Sequence, residues 1–130
     1  MRKFFIAMAV VEMLTGLVLI VSPPMLAWLL LGSLLDAPPA IIIARIGGVA
    51  LLSLGIACWF ASRDENSPAA AGVMAAMVLY NCGAVILLAY AGIGLGLSGL
   101  GLWPAVLVHT ALAVGCIASI KSRATSMLIK

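Results

Sequence analysis

Charge is what this sequence has least of. Lysine, arginine, aspartate and glutamate make up 8% of its 130 residues, seven basic and four acidic, beside a single histidine. Soluble domains carry about 25% charged residues. A chain this poor in charge cannot cover a water-facing surface, which excludes a soluble globular domain, a disordered chain and a nucleic-acid binder. Cysteine is also scarce. Cys58, Cys82 and Cys116 cannot all pair within one chain and show no C-x-x-C spacing, which argues against a thioredoxin-like or disulfide-forming site. They read as small buried apolar residues. Catalytic signatures are missing as well: there is no G-x-S-x-G, no H-E-x-x-H and no phosphate loop. Gly92-Ile93-Gly94-Leu95-Gly96 follows no strand, so it is no dinucleotide site. These absences argue against an enzyme. The one chemistry they leave room for is proton transfer to a lipid-like substrate by a lone carboxylate and a lone histidine.

What is present is apolar. Hydrophobic residues make up 65% of the chain and the mean hydropathy is +1.30. A membrane-spanning helix needs about 20 mostly apolar residues. Four runs meet that length, at residues 4–22, 41–60, 69–90 and 102–120. Prolines punctuate them: Pro23-Pro24 ends the first, Pro38-Pro39 precedes the second, Ser67-Pro68 opens the third, and Pro104 sits in the first turn of the fourth. The segment from Met25 to Leu35 is apolar but too short to span, and with Trp28 it reads as an interfacial or re-entrant helix. The stretch from Gly92 to Gly101 reads as a flexible, uncharged turn. Arg2-Lys3 before an apolar run resembles the start of a signal peptide. That run is long, contains Glu12 and has no A-x-A site before the prolines, so it is expected to be a retained span. The expected architecture is all-α: a single-domain integral membrane four-helix bundle over residues 1–130, with a short interfacial helix between helices 1 and 2.

Basic residues set the orientation. Four spans put both termini and the loop at 61–68 on one side. That side holds Arg2, Lys3, Arg63, Lys121, Arg123 and Lys130, and the other side holds no lysine or arginine. The positive-inside rule then places both termini in the cytoplasm. The remaining basic residue, Arg45, lies inside a span.

Arg45 is one of four strongly polar residues that interrupt the apolar runs, one per span: Glu12, Arg45, Asn81 and His109. At about 1.5 Å per residue, they lie ~12, ~22, ~18 and ~16 Å from the cytoplasmic helix ends. All four therefore fall in the middle half of a hydrocarbon layer about 30 Å thick. An ionisable side chain facing lipid at that depth costs about 2.5–3.5 kcal/mol, so the four are expected to turn inward and partner one another. Glu12 and Arg45 are expected to form an ion pair, closed by the long arginine side chain, a water or His109; Asn81 and His109 are expected to bridge by hydrogen bonds. Helical spacing supports inward stripes of Glu12, Thr15 and Gly16; Arg45, Gly48, Leu52 and Gly55; Met74, Met77 and Asn81 with Tyr80 alongside; and His109, Leu112, Ala113 and Cys116.

Several functions fit such a polar interior. The leading expectation is a pocket for a small amphipathic or protonatable ligand, such as a lipid, quinone or sterol-like molecule. Glu12, Arg45 and His109 would hold its polar end, and Tyr80 and Asn81 would orient it. A second reading makes the protein a structural or assembly subunit of a membrane complex, with the polar residues as packing glue. A third is a homodimeric or proton-coupled transporter, because small four-helix exporters also carry a membrane-embedded glutamate; here Arg45 would neutralise it. A soft-metal site built from His109, Cys82, Cys116, Met74 and Met77 is disfavoured, since methionine stripes in apolar helices are commonly packing. One histidine leaves bis-histidine haem ligation only across a dimer. No cofactor and no catalytic or metal residue is therefore expected. The partners expected are the lipid bilayer, a hydrophobic small molecule, and a second copy or larger membrane complex.

The order of features carries a resemblance. Glu12 with Gly16 is followed by the break at Pro23-Pro24, then Ala44-Arg45-Ile46-Gly47-Gly48, Leu54-Gly55, Trp59, Leu79-Tyr80-Asn81, Trp103-Pro104 and His109. In this pattern, which runs through most of the chain, it resembles the DoxX-like set of small bacterial four-helix membrane proteins. The resemblance implies a four-helix bundle with its polar residues inside, in a bacterial inner membrane, and implies no particular activity.

Overall fold

A computed structural model describes residues 2–128, with side chains assigned up to Ser122 and again at Thr125. Lys130, one of the basic residues used for orientation, lies outside the described residues. The described chain is all-α, with five helices: α1 (Arg2–Val21), α2 (Pro23–Leu31), α3 (Pro38–Ala61), α4 (Pro68–Ile93) and α5 (Leu102–Leu128). Four of them, α1, α3, α4 and α5, are long and apolar enough to cross a membrane, which makes this a multi-pass membrane protein. Four crossings return the chain to the side on which it began.

Local chemistry explains the boundaries. α2, α3 and α4 each begin on proline, whose missing N–H costs nothing in a first turn. Ser67 caps α4 by accepting a hydrogen bond from the Ala70 amide at 3.1 Å. α2 stops at Gly32, which takes φ 67° and bonds back to the Trp28 carbonyl. The short helix is thus two residues earlier at its start and four shorter at its end than the apolar run suggests. Trp28 and Trp103 are exposed at the α2 end of the bundle, and Trp59 is exposed at the other, where the Arg63 guanidinium lies 5.9 Å from its ring and 5.5 Å from that of Phe60. Aromatic side chains at both levels suit two membrane–water interfaces about one bilayer apart.

The helices pack as two antiparallel pairs, α1 with α3 and α4 with α5. Small residues spaced by seven make the first pair close. A Cβ at Gly16 would come within 2.7 Å of the Gly48 carbonyl oxygen, and one at Gly55 within 3.0 Å of the Ala9 carbonyl oxygen. Backbones this near let α1 and α3 gain dispersion contact along their length, the main source of helix association in lipid. The two pairs meet in a core made by Phe5, Met8, Cys58, Met74, Met77 and Cys116, all near the terminal side of the bundle. α3 and α4 touch little, so the other half of the bundle is splayed.

The stretch after α4 departs from the expectation of a flexible turn. α4 continues to Ile93, and Gly99 and Gly101 fit against the α2 backbone: the Gly101 amide donates to the Leu29 carbonyl at 2.8 Å, and a Cβ at Gly99 would run into the Leu29 and Leu30 backbone. Glycine here serves close approach, and it fixes α2 to the start of α5.

Candidate functional site

Where the packed half of the bundle gives way to the splayed half, the polar residues gather. Glu12 on α1 is fully buried, and neither carboxylate oxygen has a hydrogen-bond partner. The Tyr80 hydroxyl on α4 faces that carboxyl at the margin of hydrogen-bonding geometry. Tyr80 meets the His109 ring of α5 edge to face, with centroids 5.6 Å apart and planes at 80°. Asn81, also fully buried, joins α4 to α5: its Oδ1 lies 2.8 Å from His109 Nδ1 while its Nδ2 donates to the Met77 carbonyl at 2.8 Å. The expected bridge between Asn81 and His109 is therefore direct.

The ion pair is a correction. Arg45 is exposed on α3, and both Glu12 oxygens are unpartnered, so the two do not meet. The inner face of α3 follows Ala44, Gly48, Leu51, Gly55 and Cys58, and Arg45, one residue on from Ala44, is turned away by about 100°. Two things make the outward position affordable. Arg45 lies seven residues from Pro38, about 10 Å from that helix end. A side chain this long can run along the helix and place its guanidinium near the interface. Depth measured from the opposite helix end concealed this route.

Above the polar layer lies a cavity of about 680 Å³. Thr15 and Leu19 of α1, Ala44 and Leu51 of α3, Leu79, Tyr80, Gly83, Ala84, Leu87 and Leu88 of α4 and His109 of α5 form its walls, and Pro23, Leu26, Ala27, Leu30 and Leu31 of α2 cover it. Its polar side chains, Thr15, Tyr80 and His109, stand at the end facing Glu12; the rest of the lining is apolar. Leu79 and Leu87 of its α4 wall are largely exposed, so the cavity is open along that helix. This combination of an apolar body and a few convergent polar groups is typical of small-molecule sites.

Of the five residues anticipated for a ligand site, Tyr80 and His109 line the cavity, Glu12 and Asn81 stand behind them, and Arg45 is elsewhere. The sequence reading missed the cover that α2 provides and the part of Thr15 in the lining. An uninterrupted apolar α2 beside two prolines was the signal available for the first. Cys58 and Cys116 are buried in the packed half and Cys82 is half-buried; all three are free. The Cys116 thiol lies 3.6 Å from the Met8 sulfur. Among the described residues, no group of three or more histidine, cysteine, aspartate or glutamate side chains is placed to hold a metal ion. Compared with known proteins, the chain matches no family model, and no curated protein or solved structure is significantly similar to it.

Proposed function

We propose that this protein binds a small, mostly apolar molecule with one polar end in the cavity beneath α2, and that Tyr80 and His109 receive that end with Asn81 and Glu12 behind them. The observation that carries the reading is the cavity of about 680 Å³, apolar everywhere except where it meets the polar layer. A lipid-like, quinone-like or sterol-like molecule suits such a volume. The opening past Leu79 and Leu87 suits a ligand that arrives from the bilayer. In this reading the protein sits in a bacterial inner membrane. Arg2, Lys3, Arg63 and Lys121 share one side, which supports cytoplasmic termini. The bond between Asn81 and His109 favours one alternative, a structural subunit in which this pair staples α4 to α5.

Native mass spectrometry of the full chain, released from mild detergent, tests the proposal. Gly83 lines the cavity and has open space where a Cβ would stand. The expected result is a co-purified small molecule that Gly83→Phe abolishes while the protein stays folded. A protein that is bare in both forms, and takes up nothing from added lipid extract, overturns the proposal in favour of the structural role.

A further inference from the structure

The hydrogen bonds around His109 specify the head group that the cavity accepts; this inference rests on the ligand-binding reading above. One turn from Asn81 stands the Met77 carbonyl. A backbone carbonyl only accepts, so the Asn81 side-chain atom bonded to it at 2.8 Å must be the amide nitrogen. That fixes the amide orientation and turns Oδ1 toward His109 Nδ1, at 2.8 Å. Oδ1 also only accepts, so Nδ1 must carry a hydrogen. In the neutral imidazole the other nitrogen, Nε2, is then a bare lone pair. No described residue bonds Nε2. Nor is it among the buried polar atoms that lack partners, so Nε2 keeps accessible surface, on a ring that lines the cavity. The carboxyl of Glu12 also lacks a partner, but both of its oxygens are sealed behind the lining, so Nε2 is the acceptor that the cavity presents.

We infer that the cavity selects molecules whose polar end donates a hydrogen bond, an alcohol or phenol on an apolar body, over otherwise identical ethers and ketones. A hydroxyl hydrogen satisfies the Nε2 lone pair. An ether or ketone oxygen would set lone pair against lone pair at Nε2; even where the Tyr80 or Thr15 hydroxyl serves that oxygen, Nε2 is left without a donor. Sites built to bond a ligand hydroxyl reject analogues that lack it because their own polar group is then stranded. Asn81 acts as a positioning residue: it touches no ligand and sets which histidine nitrogen is protonated. A phenolic, reduced quinone-type head group therefore suits the site, and its oxidised diketone form does not.

His109 is the only histidine in the chain, so selective ¹⁵N-histidine labelling of the full-length protein in detergent reports this one ring. The probes are 4-octylphenol and 4-octylanisole, which differ by one methyl on the oxygen. The expected spectrum shows Nδ1 protonated and Nε2 bare. Octylphenol is expected to shift the Nε2 resonance and to bind about tenfold tighter than octylanisole. In Asn81→Leu, which removes the acceptor, the preference for Nδ1–H and the gap between the probes should both disappear. A wild-type ring protonated on Nε2 overturns the inference, as do equal affinities for the two probes; in the latter case the ligand-binding reading stands. If neither probe binds, that reading falls and takes the inference with it.

Discussion

Replacing Glu12 by methionine should make this protein more stable. The carboxyl is fully buried, and both of its oxygens lack a hydrogen-bond partner. Burying a neutral polar group in that condition costs about 1–3 kcal/mol by the mutational record in proteins, and an ionised one costs more, so the sign is the same in either protonation state. Methionine is close to glutamate in length, flexible enough to follow its path, and leaves no cavity. The net gain should therefore be about 1–3 kcal/mol. In a domain of this size about 1 kcal/mol moves Tm by roughly 4 °C, so a rise of several degrees is expected in thermal unfolding followed by circular dichroism in mild detergent. Glu12→Gln keeps the shape but adds two N–H donors that also need partners, and should gain nothing. The reasoning fails if Glu12→Met melts several degrees lower than wild type while Glu12→Gln does not, because the side chain would then be making a bond that the structure lacks. Glu12 would then be a residue that costs the fold stability directly behind the cavity lining.

Two further predictions use the same assay. Asn81→Ala strands the His109 Nδ1–H and should cost about 1–3 kcal/mol, whereas exposed Arg45→Ala should change stability by less than about 0.5 kcal/mol; equal losses would mean that Arg45 does have an internal partner. Gly16→Ala places a methyl 2.7 Å from the backbone of α3 at both Gly48 and Leu52, so the overpacking cost of about 1–3 kcal/mol should outweigh the helix-propensity gain of about 1 kcal/mol. Gly72→Ala meets nothing within 4 Å and should keep that gain, so opposite signs are expected for the two glycines, and matching signs would refute the close α1–α3 contact.

The spans were legible because hydrocarbon imposes a length, and prolines at residues 23, 38 and 68 mark where three helices begin. Three of the four inward faces were legible from helical spacing: Glu12 with Gly16, Met74 with Met77 and Asn81, and Leu112 with Ala113 and Cys116 are all buried. The fourth was not. Along α3 both faces are apolar, so hydropathy has no contrast to offer, and Arg45 shares a stripe with Gly48 and Gly55 about as well as it shares one with Ile42 and Val49. Side-chain size was the better signal. Ala44, Gly48, Gly55 and Cys58 form the inner face, while Ile42, Ile43, Ile46 and Val49 are exposed. In lipid the closer face is the smaller one, because association there depends on backbone approach rather than on hiding apolar surface from water. The cavity was not legible at all, since it arises from how far two helix pairs separate, and no single helix encodes that.

That separation also explains why the polar residues stand where they do. Within each pair the contacts run the length of the helices, but between pairs the buried core is confined to the terminal half. A bundle closed throughout would press Glu12, Tyr80 and His109 into hydrocarbon packing with no room for a partner. A bundle open throughout would expose them to lipid tails, which offer no hydrogen bonds. At the boundary Tyr80 and His109 keep one side in the packed interior, where Asn81 and Met77 fix the histidine, and the other toward the cavity, with Glu12 sealed behind them. α2 completes the enclosure and is held by the backbone bond from Gly101 to Leu29, by the Leu29 and Leu30 side chains packed near Gly101, and by the buried Pro23, so the cover is tied to the start of α5.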